Sequence, residues 1–248
     1  MERSFTIGQV SDILEIPPAT LRFWEDKGLL KVHKGSNRYR RYTAQDLIQI
    51  AGIVFLRNLG IPVAKVQELE NYSLEEYVQH IHILQKQLEE KLLSYQTMYQ
   101  HAQHQEKNLL EVQRLQKHFG EIEDLPFQAI EKFDFLEQNK LLRYIKNPSH
   151  YVRYFDSSDM SSETRCIIME HPDSYTTPFW TKKSSSQFVT ILIREKVDQN
   201  YSSDIEDSLA LLRRRYHIGD ILAQYLITAN DGGERIDFLK GFVEILPD

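Results

Sequence analysis

The stretch from Leu74 to Phe119 restricts the possible folds of this chain more than any other segment. It has no glycine or proline between Ser73 and Gly120, and apolar side chains recur along it at steps of three, four or seven residues. These side chains are Leu74, Val78, Ile81, Leu88, Leu92, Tyr95, Tyr99, Ala102 and Leu109, with breaks at Gln85 and Glu106. The spacing predicts one helix about 70 Å long with an apolar seam.

So long and polar a helix cannot bury its apolar seam alone. The pattern favours a coiled coil between two copies of the chain, and therefore a homodimer. The alternative is a helix packed on a domain of its own chain. In both cases the helix separates an N-terminal part from a C-terminal part.

The charges differ between these two parts. The chain has 248 residues and a net charge of −6. Residues 1–75 hold ten lysines and arginines against nine acids, whereas the remaining residues hold 20 against 27. The charge balance therefore disfavours the acidic remainder for nucleic-acid binding and favours the N-terminal part.

The first part of the chain has the pattern of two short helices joined by a tight turn. Thr6 is a candidate N-cap, and Ile7, Val10, Ile13 and Leu14 follow at helical spacing. Ile16-Pro17-Pro18 breaks this helix, and Pro18 suits the first turn of the next one. The second helix then runs to Gly28, where a C-cap glycine is expected.

A basic loop follows the second helix. Between Gly28 and Ala44 there are five basic residues and no acid. The basic residues are Lys31, Lys34, Arg38, Arg40 and Arg41. Such a loop is suited to phosphate groups, although a basic loop alone could equally be a solvated surface. Two helices followed by this loop favour nucleic-acid binding.

These residues resemble the DNA-binding domain of MerR-type transcription regulators over about the first seventy positions. The matching residues are Thr20, Leu21, Arg22, Phe23, Trp24, Glu25, Gly28, Leu29, Arg40 and Tyr42. The resemblance implies a winged helix-turn-helix and an antiparallel coiled coil that places each such domain against the partner chain. The expected DNA-binding residues are Thr20, Arg22, Phe23, Lys34, Arg38, Tyr39, Arg40, Arg41, Tyr42 and Arg57.

A second helix-turn-helix is expected after Thr43, a candidate cap. Leu56, Arg57, Leu59 and Gly60 match the same family there, whereas Ile61-Pro62 departs from its usual small polar residue. The departure leaves open how the following helix is capped and whether that cap contacts a phosphate.

The C-terminal part has alternating apolar patterns typical of strands. Strands are expected at 151–155, 164–170, 187–193 and 219–228, with a helix from Ile205 to Tyr216. Asp231-Gly232-Gly233 indicates a turn, and a further helix or bend from Arg235 would lead into a last strand at 242–246.

The ending Val243-Glu244-Ile245-Leu246-Pro247 resembles the last strand of GyrI-like effector-binding domains, which follow the coiled coil in multidrug-sensing MerR-type regulators. That resemblance implies a pocket glutamate at Glu244 among aromatic rings, and such a pocket suits a lipophilic cation. The expected ligand-binding residues are Glu244, Phe242, Tyr151, Tyr154, Tyr175, Trp180, Phe188 and Tyr225. Core packing is the alternative for each ring, and an exposed or locally paired carboxylate is the alternative for Glu244.

The predicted fold is α+β. It comprises an all-α winged helix-turn-helix domain (1–73), a dimerisation coiled-coil helix (74–119), a linker (120–150) and an antiparallel α+β ligand-binding domain (151–248). With a single cysteine, Cys166, no internal disulfide is possible, and we expect neither cofactor nor metal. The absence of a signal peptide or a long apolar run predicts a cytoplasmic protein with no membrane partner.

The sequence thus predicts a non-enzymatic regulator with four partners: promoter DNA, a second copy, a small-molecule effector and, indirectly, RNA polymerase. Two alternatives stay open. The C-terminal domain could be a GyrI-like hydrolase joined to a DNA-binding arm, or it could bind a protein instead of a small molecule.

Overall fold

The structure, a computed structural model, describes residues 4–34, 39–169 and 177–247. They form two compact units, Met1–Ser94 and Tyr95–Asp248. The long helix contributes residues to both units.

The N-terminal unit is built mainly of helices. They are α1 (Ile7–Leu14), α2 (Pro18–Asp26), α3 (Ala44–Asn58), α4 (Val63–Leu69) and the first part of α5 (Leu74–Lys117). A two-stranded antiparallel sheet lies between α2 and α3 in the chain, where the wing was predicted. It consists of β1 (His33–Lys34) and β2 (Arg40–Arg41).

Local sequence signals set the ends of these helices. The Thr6 hydroxyl accepts the Gln9 amide while the Gln9 side chain accepts the Thr6 amide, and Thr43 and Asp46 repeat this capping box at the start of α3. Pro18 opens α2 as predicted. Gly28 follows α2 with a φ of +78°, a conformation that glycine adopts without strain.

The core of the N-terminal unit is apolar. Its buried members are Val10, Ile16, Leu21, Trp24, Leu29, Leu30, Tyr42, Ile50, Ile53, Ile61, Val66 and Leu69. One face of each helix therefore supplies the core, which leaves the opposite face of α2 available to solvent.

The C-terminal unit is a single antiparallel sheet with helices. Within the described residues nine strands pair in the order β3-β8-β11-β10-β5-β6-β4-β7, with β9 added beside β8. The strands are β3 (Glu121–Glu123), β4 (Ala129–Lys132), β5 (Tyr151–Asp156), β6 (Asp159–Ile168), β7 (Trp180–Thr181), β8 (Gln187–Lys196), β9 (Ser202–Ser203), β10 (His217–Asp231) and β11 (Glu234–Leu246). The helices are α6 (Gln138–Lys146) and α7 (Ile205–Leu212), with 3-10 turns at Pro148–His150 and Val197–Gln199.

The order of these elements repeats once. A strand, a helix and a hairpin occur as β4-α6-β5-β6 and again as β8-α7-β10-β11. In the sheet the two repeats meet at the antiparallel pair β5–β10, and each continues outward with its second hairpin strand and then its first strand. The topology is therefore that of an approximate twofold centred between β5 and β10.

Two expectations for this unit are wrong. Residues 120–150 are not a linker, because β3 pairs with β8, β4 pairs with β6, and α6 lies between β4 and β5. Residues 235–246 contain no helix or bend, because β11 runs unbroken beside β10 and β8. Both segments take their conformation from strand pairing with distant residues, which a local pattern does not contain.

The two faces of the sheet pack against different helices. On one face α7 packs over a cluster that includes Val189, Ile191 and Ile221. On the other face the C-terminal part of α5 places Val112 and Leu115 against a cluster that includes Phe238. The sheet is thus covered by short helices on one side and by the long helix on the other.

Within the described ranges, no single helix is both long and apolar enough to cross a membrane. Only the pair α3 and α4, bent by 120° at their junction, passes that test of length and composition together.

Candidate DNA-binding surface and ligand cleft

The helix α2 presents a mixed polar and aromatic face to solvent. Leu21 and Trp24 are buried in the core, whereas Arg22 is exposed, Phe23 is 45% exposed and Thr20 is half-buried. Because Leu21 and Trp24 are buried on one side of the helix, the residues between them point away from the core. The structure therefore turns Arg22 and Phe23 to solvent, whereas Thr20 stays half-buried.

The strand β2 is fastened to α2 by an ion pair. Arg40 Nε donates to Glu25 Oε2 over 2.6 Å, with the two side chains 32% and 16% exposed. Arg41, the next residue, is exposed, and Tyr39 is 72% exposed. Arg40 thus positions the strand against α2, which leaves Arg41 as the better oriented candidate for phosphate contact.

The structure describes little of the other two predicted basic residues of this loop. The backbone of Lys34 lies in β1, where it pairs with Arg40, and its side chain is outside the described part of the chain. Arg38 lies outside the described residues.

Tyr42 was expected to contact DNA, and the structure contradicts this. Its side chain is 0% exposed, and its backbone pairs with Phe5 in both directions. Burial raises the pKa of its phenol, whose hydroxyl has no hydrogen-bond partner. Tyr42 is a core residue that anchors the end of β2.

Arg57 closes the turn between α3 and α4. Its Nη1 donates to the backbone carbonyl of Ile61 over 2.5 Å. Pro62 is the N-cap of α4 and supplies no side-chain hydrogen bond. The turn is thus closed by Arg57, whose side chain remains on the surface, and α4 begins without a side-chain cap.

The expected ligand-binding residues do not form one pocket. Register across β8, β11, β10 and β5 places Phe188, Glu244, Phe242 and Tyr154 on one face of the sheet. Tyr151 and Tyr225 lie on the opposite face, and Tyr175 is outside the described residues. The prediction of a single site was wrong because strand alternation sends these rings to opposite sides.

On the first face, Glu244 is held in a small polar cluster. It is 6% exposed, and the Ser186 hydroxyl donates to its Oε1 over 2.6 Å. A Cβ at position 219 would lie 2.8 Å from Glu244 Oε2, so Gly219 leaves room for this carboxylate.

The neighbouring Asp220 is bound by two rings. The Tyr154 hydroxyl and the Trp180 indole N–H each donate to its carboxylate over 2.7 Å. Burial, and then the bond to Asp220, raise the pKa of Tyr154. Phe188 and Phe242 are fully buried beside these groups. The five predicted residues on this face thus form a packed, hydrogen-bonded core.

The opposite face contains an open cleft of about 500 Å³, a volume typical of small-molecule sites. It is lined by α6, by five strands and by the connection from β8 to α7. The lining residues are Phe135, Tyr144, Tyr151, Arg153, Glu163, Arg165, Glu195, Val197, Asn200, Tyr201, Tyr225, Thr228, Arg235, Asp237 and Leu239. Five of them are aromatic, and six are charged.

The base of the cleft is an ion-pair network. Arg153 Nε donates to Glu163 Oε2 over 2.7 Å, and the same guanidinium also binds Glu195. The side chains of Arg153 and Glu195 are 15% and 4% exposed. Burial raises the pKa of the Glu195 carboxyl, and Arg153 opposes this effect.

The walls of the cleft combine rings and hydroxyls. Tyr144 and Tyr151 meet edge to face with ring centroids 6.0 Å apart, and burial raises the pKa of Tyr151 to about 12. Tyr225 shares a 2.8 Å hydrogen bond with Thr228, whose hydroxyl donates to Asp237 over 2.6 Å. Such walls offer aromatic faces together with hydrogen-bonding groups.

Most of the cleft residues were missed from the sequence. The alternation of Tyr151, Arg153 and Phe155 on one face of β5 was a signal that could have indicated Arg153. Nothing local relates Arg153 to Glu195, which is 42 residues away in sequence. Only strand pairing brings them together.

A second charge network joins the end of α5 to the sheet. Lys240, 8% exposed, donates from Nζ to Glu111 and Glu123 over 2.6 Å each. Hydrogen bonds from Arg114 and Lys240 lower the pKa of Glu111 to about 2. The first part of the seam differs, because Val78, Leu88 and Leu92 are 45%, 42% and 59% exposed.

Metal ligands and reactive thiols are the remaining chemical groups of interest. Across residues 4–34, 39–169 and 177–247, the structure has no group of three or more histidines, cysteines and acids arranged to hold a metal ion. Cys166 is buried, and burial raises the pKa of its thiol to about 12. Its sulfur is therefore a packed, protonated group at neutral pH.

Comparison with known proteins gives a family match for the N-terminal part. Residues 5–73 match the MerR HTH family of regulatory proteins. The HTH-type transcriptional regulator HmrR of Rhizobium leguminosarum bv. viciae is 35% identical over 63 residues, which are 25% of this chain and 49% of HmrR. The HTH-type transcriptional activators TipA of Streptomyces coelicolor and Streptomyces lividans are each 36% identical over 67 residues, which are 27% of this chain and 26% of TipA. The chain thus spans about half of one relative and a quarter of the others.

Proposed function

We propose that this protein is a cytoplasmic transcription regulator, because residues 5–73 match the MerR HTH family of regulatory proteins. It binds promoter DNA as a homodimer and responds to a small molecule bound in its C-terminal unit. The single observation that supports DNA binding most strongly is the exposed face of α2, with Arg22 and Phe23 outward beside the fastened strand β2.

The binding mode follows from this geometry and from the family resemblance. The N-terminal half of α2 enters the major groove, where Arg22 and Thr20 reach base edges. Arg41 binds the phosphate backbone, and Lys34, Arg38 and Arg57 add to the positive surface. In this proposal Phe23 and Tyr39 pack on the DNA backbone.

Dimerisation is proposed through the first part of α5. Its exposed seam of Val78, Leu88 and Leu92 supports this, since a second helix would cover these side chains. Two DNA-binding domains related by a dimer axis bind a pseudo-palindromic operator. Effector binding then distorts and untwists a promoter whose elements are spaced too far apart, so that RNA polymerase engages.

The effector site proposed here is the cleft that contains Arg153 and Glu195. Its volume and its five rings suit a small aromatic molecule. The expected pocket at Glu244 is not retained, because that carboxylate is hydrogen-bonded to Ser186 and buried on the other face. The proposal includes no catalytic step. The alternative is that the C-terminal unit binds a protein instead of a small molecule, and a ligand screen distinguishes the two.

DNA binding is tested by selection from random duplexes with the full-length protein. We expect enrichment of a sequence with two half-sites in inverted repeat. The Leu88→Asp/Leu92→Asp variant should sediment as a monomer and lose the two-half-site sequence. Enrichment of no sequence, or an intact dimer in that variant, would contradict the corresponding part of the proposal.

Sensing is tested by a thermal-shift screen of aromatic small molecules, followed by DNA footprinting with any compound that raises Tm. A true effector should alter the footprint at the centre of the operator. A compound that binds without changing the footprint would separate ligand binding from regulation.

A further inference from the structure

We propose that Arg153 is a specificity determinant of the cleft: its guanidinium takes the place of a ligand cation, so that the cleft rejects lipophilic cations and accepts uncharged or zwitterionic aromatic molecules. This inference rests on the proposed role of the cleft as the effector site.

The first support is the position of Arg153 between two carboxylates. Its Nε and Nη2 bind Glu163 and its Nη1 binds Glu195. The side chain is only 15% exposed, and it extends from β5, beside the approximate twofold of the sheet. Its central carbon also lies 5.2 Å from the centroid of the Phe155 ring. The guanidinium therefore makes the contacts with carboxylates and an aromatic ring that a bound cationic ligand would make.

The second support is the charge of the lining as a whole. Three arginines, Arg153, Arg165 and Arg235, are matched by three carboxylates, Glu163, Glu195 and Asp237. An entering cation would therefore meet no excess of negative charge. It would also have to displace the Arg153 guanidinium from Glu163 and Glu195, and its own contacts with these carboxylates would only replace those that are lost.

The third support is what the cleft would become without Arg153. Glu195, with its side chain 4% exposed, and Glu163, 30% exposed, would face the rings of Tyr151 and Tyr225 without their main counter-ion. Two carboxylates among aromatic faces form a site for a lipophilic cation, because an uncompensated buried charge is costly and a bound cation relieves it. The specificity of the cleft thus depends on one residue.

The test uses the full-length protein and two probes of similar shape, the cation tetraphenylphosphonium and the neutral triphenylphosphine oxide. Calorimetry on the wild-type protein should show that the neutral probe binds at least as tightly as the cation. In Arg153→Gln the affinity for tetraphenylphosphonium should rise at least tenfold, whereas that for triphenylphosphine oxide should change less than threefold.

Three variants are controls. Arg165→Gln removes a neighbouring guanidinium that is 55% exposed and reaches Glu163 only at 3.5 Å, so it should leave both affinities nearly unchanged. Arg153→Lys keeps the positive charge and should still reject the cation. Arg153→Gln/Glu195→Gln removes the buried carboxylate and should lose most of the gain.

Circular dichroism checks that each variant is folded. If Arg153→Gln is too unstable for calorimetry, the comparison is made by thermal shift, where tetraphenylphosphonium should raise its Tm more than triphenylphosphine oxide does. The inference is overturned if Arg153→Gln gains no affinity for tetraphenylphosphonium, or if the wild-type protein binds tetraphenylphosphonium more tightly than triphenylphosphine oxide. If Arg153→Gln gains affinity for tetraphenylphosphonium but no small molecule changes the DNA footprint, this inference holds and the sensing role is refuted.

Discussion

The two units of this protein differ in where they keep their charged groups. In the described part of the chain, every buried polar or charged residue belongs to the C-terminal unit: Asn108, Glu131, Ser149, Thr190, Glu195, Lys240 and Glu244. The N-terminal unit buries an apolar core and keeps its charges on the surface. One unit is thus suited to a charged, water-exposed partner such as DNA, and the other to selective contacts inside a cleft.

The difference also indicates how each unit will respond to substitution. Exposed charges act mainly on binding, because water solvates them when a partner is absent. Buried charges act on stability and on selectivity, because a lost partner leaves a group that water cannot reach. Substitutions in both units test this contrast, beginning with the largest effect.

Lys240→Met should destabilise the C-terminal unit by about 3 kcal/mol, because it removes the buried partner of Glu111 and Glu123 and leaves them only the partly exposed Arg114. Hydrogen exchange of β11 peptides should then speed up by about a hundredfold. The matched control is Lys65→Met, whose exposed pair with Glu68 should matter little. Equal effects of the two substitutions would remove the contrast between the units.

Arg22→Ala should weaken binding to the selected operator by about 1–3 kcal/mol, the value of a good base contact. The stability of the N-terminal unit should not change, since Arg22 is exposed. Competition between operator and random duplexes measures the specific part of the loss. An equal loss on both duplexes would make Arg22 a backbone contact.

Arg41→Ala should reduce the slope of log Kd against log salt by about one, because one phosphate contact is lost. Arg40→Ala should change that slope less, since Glu25 already pairs with Arg40. Filter binding at salt concentrations from about 50 to about 200 mM, where counterion release dominates the change in affinity, compares the two variants. A larger change for Arg40 would reverse their assignment.

Tyr42→Phe should have the smallest effect. The hydroxyl is buried without a hydrogen-bond partner, so removing it should leave the protein at least as stable. Operator affinity should stay within about twofold of the wild type, since the side chain does not reach the surface. A marked loss of DNA binding with intact stability would restore Tyr42 as a DNA contact.

Much of the N-terminal unit was predictable because its determinants are local. Thr6 with Gln9, Pro18, Gly28 and Thr43 fix helix ends within a few residues, and helical spacing separates buried Leu21 and Trp24 from exposed Arg22. The error at Tyr42 arose because a tyrosine in a basic loop has the same local pattern whether it packs inward or outward. Its direction is set by the backbone bridge between Tyr42 and Phe5.

The C-terminal unit shows what the sequence could not determine. Its alternating apolar residues predicted β5, β8, β10 and the end of β11. The long stretch without glycine or proline predicted α5. The tertiary structure alone decided that residues 120–150 complete the sheet, that Glu244 faces a packed core, and that Arg153 meets Glu195 at the base of a cleft. The physical reason is that a strand pairs, and a buried charge finds its counter-ion, with residues brought close by the fold rather than by the chain.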